Sequence, residues 1–196
     1  LVVAEVAIAV VLLVGGGLVI RGFIRLIQIN PGFRPANLLT LRVVLPRAVY
    51  GTEERRRAFV EQALPRVRTL TGVEKAALVS SLPLGGEGTE SNISIEGAPP
   101  PLPGSNPWAS LVVTSAGYFE TLGIPLKRGR TFDERDGRPG TDPVVIVDET
   151  LAARHWPGQD PIGKRFKLGD ASSAEPWMTV VGVVGNVRQQ SLDAPI

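Results

Sequence analysis

The 196-residue chain carries 21 Lys and Arg against 19 Asp and Glu, a formal net charge of only +2. This balance does not favour a surface built for phosphates, and we expect no nucleic-acid partner. The chain has no Cys, which excludes disulfides and thiolate metal sites, while its 17 Pro and 22 Gly favour short strands joined by turns over a helical bundle.

The chain opens with an apolar run. Residues 1–20 carry one charge, Glu5. A helix needs about 20 apolar residues to cross the hydrocarbon core of a membrane, so residues 1–30 are predicted to form a transmembrane helix and its extension. A signal peptide has basic residues before its apolar run, whereas here Arg21 and Arg25 follow it, and a buried core helix usually has a polar face. Because no initiator Met is present, we expect the chain to be a fragment.

Residues 36–90 predict a compact unit of strand, helix and strand. After the Asn-Pro-Gly turn at residues 30–32, side chains alternate from Leu38 to Leu45, which predicts a strand. The second strand is predicted over Val73 to Ser80, directly after the glycine at position 72 that ends the helix.

The helix of this unit begins after Thr52, a residue type that caps helix N-termini. Apolar residues recur every three or four positions from Phe59 to Leu70, with Arg and Glu on the opposite side, which predicts an amphipathic helix. Pro65 should kink that helix or break it in two, because its ring clashes with the carbonyl of Glu61.

Residues 91–176 predict a β-rich subdomain inserted into the first unit. Pro and Gly are dense on both sides of a short strand at residues 92–96, as is typical of surface connections. Further strands are predicted over residues 108–114, 125–127, 143–147, 165–168 and 177–184, and short helices over residues 115–122 and 149–155. The last strand should return to the first sheet, so that residues 36–90 and 177–196 form a mixed α/β subdomain that is incomplete at its C-terminus. The predicted fold class is α+β.

One segment matches part of a phosphate-binding motif. Gly158 to Lys164 fits G-x-x-x-x-G-K, yet Arg165 stands where the motif needs a magnesium-binding hydroxyl. Asp160 would oppose an anion, Pro161 lacks an amide, and a strand follows where a helix is required. We interpret the segment as a turn between a helix and a strand, and we predict no nucleotide or other cofactor.

No other group of residues predicts catalysis or metal binding. His155 is the only histidine, which excludes a two-His metal site, and no serine lies in a G-x-S-x-G elbow. The acidic loop of residues 133–142 lacks the spacing of a calcium loop, so we interpret it as a solvated turn. Asn92 begins a glycosylation sequon by pattern only. We therefore predict no catalytic, cofactor-binding or metal-binding residues, and we expect that the chain is not an enzyme.

Six segments in order carry a resemblance to a known family. They are LVVAEVAIAVVLLVGGGLVIRGFIRL, NPGFRPANLLTLRVVLP, LTGVEKAALVSSLPLGG, TSAGYFETLGIPLKRGRTFDERD, VVIVDETLAARHWPGQDPIGKRFKLG and TVVGVVGNVRQQSL. Together they resemble the MacB/FtsX-type permeases of ABC transporters: the first transmembrane helix of a permease unit and its MacB-like periplasmic core domain, of the type in which that unit is duplicated. Thr71 stands where a Pro-Gly-Val turn is usual, and the last three transmembrane helices of such a unit are missing from this sequence.

The resemblance implies a mixed α/β, porter-like part near the membrane and an inserted β-rich part outside it. It implies a non-catalytic domain that transmits ATP-driven conformational change to export or to partner proteins. The implied partners are the lipid bilayer, a separate ABC ATPase subunit or domain, a periplasmic adaptor protein and a second permease unit, as a dimer or paired units. The implied location is the bacterial inner membrane, with residues 31–196 extracytoplasmic.

The charges beside the apolar run, taken alone, predict the opposite orientation. Arg21, Arg25 and Arg34 all follow the run, and positive residues tend to stay in the cytoplasm. We follow the resemblance, because charges elsewhere can decide orientation. The first two arginines can then reach lipid headgroups while residues 21–28 continue outward as a candidate rigid extension. A single Cys at Ser105, probed with a membrane-impermeant maleimide, would report the topology.

Two other functions remain open on the sequence. The first is a membrane-anchored extracytoplasmic ligand-binding or sensor domain without ATPase coupling, which a stop codon soon after Ile196 would favour over a transporter. The second is a hydrolase, which loss of activity on substitution of Ser80, Ser81 or Ser115 would support.

Overall fold

The apolar run forms one long helix, α1 (Val2–Ile27). The computed structural model describes residues 2–85, 88–99 and 107–191. None of the residues of α1 is buried, and among the described residues it is the one helix long and apolar enough to cross a membrane. At 1.5 Å per residue, α1 is about 39 Å long, which exceeds the roughly 30 Å of a hydrocarbon core. The excess length accommodates the turns that carry Arg21 and Arg25.

Two helices follow, α2 (Arg47–Tyr50) and α3 (Glu53–Arg68). The predicted N-cap is confirmed, because the Thr52 hydroxyl accepts a hydrogen bond from the Arg55 amide at 3.4 Å. Of the kink or break predicted at Pro65, the break is wrong, since α3 continues to Arg68. Pro65 lies in the last turn, where the one carbonyl that loses its partner, on exposed Glu61, can be solvated.

The two strands predicted beside α3 are wrong. Leu38 to Leu45 pairs with no strand among the described residues, and Val73 to Ser80 contributes only one isolated bridge, between Val79 and Thr114. The alternation of side chains is real, but a strand also needs a partner. Without one, the Leu39 and Leu41 side chains remain 91% and 74% exposed.

A six-stranded mixed sheet forms the body of the domain. Its strands are β1 (Thr89–Ile95), β2 (Trp108–Leu111), β3 (Leu126–Gly129), β4 (Val144–Asp148), β5 (Arg165–Leu168) and β6 (Met178–Val184). β6 is the central strand. β4 pairs with it in parallel along one edge, while β5 and β3 pair antiparallel with the two halves of its other edge. β1 then joins β5 to the outer strand β2.

This topology changes the expected place of the last strand. β6 pairs with β3, β4 and β5, so within the described residues it does not return to a sheet of the first unit. The reason is that residues 38–45 form no strand for it to join. The division into residues 36–90 with 177–196 and residues 91–176 stays a prediction, whereas the α+β fold class is confirmed. Residues 100–106 of the Pro-rich segment, which include Ser105, lie outside the described residues.

Two short helices close the core, α4 (Tyr118–Leu122) and α5 (Glu149–His155). The Asp148 carboxylate caps α5 by accepting a hydrogen bond from the Leu151 amide at 2.7 Å. α5 covers a first apolar cluster, which consists of Ile93, Val147, Ala152, Trp156, Phe166, Val180 and Val183. α4 builds a second cluster, which consists of Tyr118, Leu122, Ile124 and Val184. The second cluster is where the segment that leaves α1 meets the sheet.

Candidate functional site

The segment that leaves α1 is fastened to the segment that leaves β6. We call residues 29–38 and 185–189 together the junction. The Arg188 amide donates to the Pro31 carbonyl at 3.0 Å, and the Arg34 amide donates to the Leu122 carbonyl at 2.8 Å. The first bond joins the two halves of the junction, and the second joins the junction to the end of α4.

A glycine makes the close approach between the two halves possible. Gly32 has a φ of +89°, and its amide donates to the Asn30 side-chain oxygen at 2.9 Å, which closes the turn. A Cβ built on Gly32 would collide with the Asn186 carbonyl oxygen and lie 2.9 Å from the Val187 Cα. Only glycine tolerates both this backbone conformation and this contact.

Apolar packing supports the hydrogen bonds of the junction. Phe33 and Leu38 are half-buried against the α4 cluster, and Val187 from the other half packs on the same cluster. Water is therefore kept from one side of the junction, where its backbone hydrogen bonds are stronger than on an open surface.

Further hydrogen bonds connect the junction to the rest of the domain. The Asn186 side-chain oxygen accepts from the Thr150 amide at 3.0 Å, in the first turn of α5. The Gln189 carbonyl accepts from the Leu84 amide at 2.9 Å. These hydrogen bonds connect the segment that follows α1 with α4, β6, α5 and the loop before β1.

The end of α3 is held to the same region by one arginine. The Arg68 guanidinium donates to the Ala76 and Ala116 carbonyls, each at 3.1 Å, and its Nη1 lies 3.8 Å from the Glu134 carboxylate. The forked side chain therefore fixes the end of α3, the segment that follows it and the approach to α4 in one arrangement.

The acidic loop is an ion-paired turn. The Arg130 guanidinium makes two hydrogen bonds to the Asp136 carboxylate, at 2.6 and 2.9 Å, and that carboxylate is only 13% exposed. Arg130 lowers the pKa of Asp136 through these bonds, and Arg135 lowers the pKa of Asp133 to about 2. The prediction of a solvated turn was correct for the backbone. It missed the hydrogen bonds that arginine side chains donate to both carboxylates.

Among the remaining segments weighed for chemistry, the turn before β5, Ser80 and Ser115 have structural partners. The turn before β5 is held by the Gly163 amide, which donates to the Val180 carbonyl at 2.8 Å. Ser80 and Ser115 use their hydroxyls to accept from the Val113 and Leu78 amides, at 3.0 and 2.9 Å. His155 is half-buried beside Trp156, and burial lowers its pKa.

Metal binding and catalysis stay at the level of prediction. No group of three or more His, Cys, Asp or Glu side chains that could hold a metal ion lies together within residues 2–85, 88–99 and 107–191. The expectation of no metal, cofactor or catalytic residue, and the sequon at Asn92, are not tested by this observation.

Sequence reasoning identified the turn at residues 30–32 but missed its partners. The partners lie more than 85 residues from this turn in the sequence, and no local pattern marks them: they are Arg188, Asn186 and Leu122. The one available signal was the Asn-Pro-Gly sequence itself, because a glycine in such a turn indicates either a positive φ or a close approach.

The chain is similar to proteins of one family. The model of the family described as MacB-like periplasmic core domain matches residues 1–195. Macrolide export ATP-binding/permease proteins MacB of Neisseria gonorrhoeae and Neisseria meningitidis serogroup B are each 32% identical over 76 residues, 39% of this chain and 11% of the relative. The chain spans about one tenth of the length of these relatives.

Two solved structures are similar in fold. The periplasmic region of MacB from Actinobacillus actinomycetemcomitans has a TM-score of 0.46 and 18% identity, covering 65% of this chain and 50% of that one. The extracellular domain of the noncanonic ABC-type transporter YknZ from Gram-positive bacteria has a TM-score of 0.45 and 17% identity, covering 66% of this chain and 59% of that one. The chain spans about half of each.

Proposed function

The chain belongs to the MacB-like periplasmic core domain family, and from this premise we propose that it transmits ATP-driven conformational change in an ABC transporter permease to export or to partner proteins. One observation carries the proposal. The apolar helix α1 has no buried residue, yet the segment that leaves it is locked into the domain through the junction. A flexible anchor would need no such fastening, whereas a device that transmits movement requires it.

The proposal includes the partners and the location. The permease would act with a separate ABC ATPase subunit or domain, a periplasmic adaptor protein and a second permease unit, in the bacterial inner membrane. Residues 31–196 would be extracytoplasmic. α1 can be accommodated in this arrangement, because its helix continues past the apolar run to residue 27 and Arg21 and Arg25 can then reach lipid headgroups.

The orientation can be tested at a described residue. Lys75 is exposed, and the chain has no Cys, so a Lys75→Cys variant provides a single reactive thiol. We expect a membrane-impermeant maleimide to label it on intact spheroplasts. Labelling only after lysis would place the domain in the cytoplasm and refute the extracytoplasmic assignment.

Transmission through α1 can be tested by making its last turns flexible. Ile24 and Leu26 lie in the exposed part of the helix just before the junction, so an Ile24→Gly/Leu26→Gly pair should weaken the helix there by about 2 kcal/mol without touching the sheet. Spin labels on cysteines that replace Glu5 and Lys75 would report the distance between the far end of α1 and the domain in the whole transporter.

We expect a narrow distance distribution in the parent, a broad one in the glycine pair, and loss of the ATP-dependent displacement of the domain only in that pair. The Ile24→Ala/Leu26→Ala pair is the matched control, because it removes the same side chains but keeps helix propensity. ATPase activity in all three proteins would show that the complex still assembles. An unchanged distance distribution and displacement in the glycine pair would contradict the proposal.

A further inference from the structure

The overall charge balance of the chain conceals a local excess of positive charge beside α1. Residues 6–52 contain no Lys, Asp or Glu but five arginines, which are Arg21, Arg25, Arg34, Arg42 and Arg47. The rest of the chain contains more acidic than basic residues. The apolar helix therefore adjoins a strongly basic part of a chain that is otherwise slightly acidic, and such a charge distribution is complementary to an anionic membrane surface.

Arg21 and Arg25 form an exposed pair on α1. They lie one helical turn apart on the same face, about 6 Å apart along the axis. Neither makes an ion pair or a side-chain hydrogen bond within the described part of the chain, whereas Arg130 and Arg165 of the domain each contact a carboxylate. A Cβ built on the intervening Gly22 meets nothing within 4 Å, so the surface beside the pair is open. Two cations at this spacing repel each other, and an anion bound to both would relieve the repulsion.

The length of α1 places this pair at the membrane surface. A helix crosses the roughly 30 Å hydrocarbon core with about 20 residues, so a core occupied by residues 2–20 ends just before Arg21. The next turns carry exposed apolar side chains beside the arginines, at Phe23, Ile24 and Ile27. This mixture of apolar contact and charge suits the headgroup layer, because arginine stems stay in apolar surroundings there while the guanidinium groups meet lipid headgroups.

We propose that Arg21 and Arg25 together bind the phosphate of an anionic lipid headgroup, such as that of phosphatidylglycerol. A zwitterionic lipid carries its own cation beside the phosphate, so it neutralises the two arginines less well. A soluble phosphate would compete with the lipid phosphates that already surround α1 at this depth. The inference rests on α1 lying in a membrane, but neither on the transmission of ATP-driven movement nor on the direction in which α1 crosses the bilayer.

Energy transfer to labelled lipids can test this inference. The chain has no Cys, and Gln28 is exposed directly after α1, so a Gln28→Cys variant accepts a single coumarin maleimide as donor beside the pair. The full chain is reconstituted in phosphatidylcholine vesicles that contain a small fraction of an acceptor lipid. The acceptors are phosphatidylglycerol and phosphatidylcholine with the same nitrobenzoxadiazole group on the acyl chain, so they differ only in the headgroup.

We expect labelled phosphatidylglycerol to be preferred over labelled phosphatidylcholine beside the donor by roughly 5- to 25-fold, since each arginine near an anionic headgroup contributes about a fivefold factor. The Arg21→Gln/Arg25→Gln pair should bring this preference close to one. The Arg21→Lys/Arg25→Lys pair should keep most of it, because the charges remain. Arg56→Gln/Arg66→Gln is the matched control: both residues are exposed on α3, so the same charge is lost away from α1 and the preference should not change.

Three results would overturn the inference while leaving the transmission of movement untouched. These are equal transfer to the two lipids in the parent chain, a preference that persists in the glutamine pair, and an equal loss in the α3 control, which would show an effect of net charge alone. An excess of glycerol 1-phosphate in the buffer should leave the preference unchanged, and its abolition would identify a soluble phosphate as the ligand instead. Absence of transfer to either lipid would show that α1 lies outside the bilayer, which would also refute the membrane location.

Discussion

Replacing Gly32 by Ala should open the junction. The new Cβ would collide with the Asn186 carbonyl oxygen and lie 2.9 Å from the Val187 Cα, and both are backbone atoms that cannot rotate away. An L-residue at a φ of +89° also costs about 1–2 kcal/mol. Relief of the contact separates the two halves of the junction and breaks the bond from the Arg188 amide to the Pro31 carbonyl, about 1 kcal/mol more.

The docked junction should therefore lose about 3 kcal/mol relative to its open state. Hydrogen exchange followed by mass spectrometry measures this directly, because the Arg188 amide is protected only while the junction is closed. A loss of 3 kcal/mol corresponds to exchange that is about 100-fold faster in the peptide that contains residues 186–190.

Gly72→Ala is the matched control. Gly72 has a φ of +87°, nearly that of Gly32, but a Cβ there meets nothing within 4 Å. It should lower the free energy of unfolding by about 1–2 kcal/mol through backbone strain alone and leave exchange at residues 186–190 unchanged. Equal exchange in the two variants would refute the reasoning, because it would show that contact with the second half of the junction contributes nothing.

Three other changes test the forces that hold the domain. Arg68→Lys should lower the free energy of unfolding by about 1–2 kcal/mol, since lysine cannot reach both backbone carbonyls with one fork; urea unfolding, with exposed Arg66→Lys as control, measures this. Pro65→Ala should raise the free energy of unfolding by roughly 1–2 kcal/mol, less than for a mid-helix proline because the residue lies in the last turn, and a decrease would contradict it. Burial raises the pKa of Tyr118 from 10.0 to about 12, so the unfolded chain loses the hydroxyl proton at a lower pH than the folded chain. The free energy of unfolding should therefore be unaffected below pH 10 and fall by roughly 2–3 kcal/mol between pH 10 and 12. This fall should be absent from Tyr118→Phe.

Elements whose signals are local could be predicted from the sequence. α5 and β5 have the predicted bounds, because Asp148 caps the helix and alternation defines a four-residue strand. The amphipathic helix after Thr52 and the long apolar helix were equally clear, since periodicity and length need no partner. The fold class followed from these elements.

Features that depend on distant residues could not be predicted. The strand expected from Leu38 to Leu45 has the right alternation, but which strand it pairs with is a property of the whole fold. The junction could not be predicted either, because the contact of Gly32 with Asn186 joins segments that are more than 150 residues apart in the sequence.

The strength of the junction decides whether α1 can move the domain. Two backbone hydrogen bonds contribute about 1 kcal/mol each, and half-buried Phe33 and Leu38 about as much again each, so docking is worth roughly 4 kcal/mol. With this docking energy roughly one molecule in a thousand is open when no load acts, and the junction stays mostly closed under a coupling load of about 1–3 kcal/mol, which is typical of proteins. After a loss of about 3 kcal/mol in Gly32→Ala, roughly one molecule in six would be open before any load acts. The same load would then hold most molecules open, and movement of α1 would be absorbed in the junction before it reached the sheet.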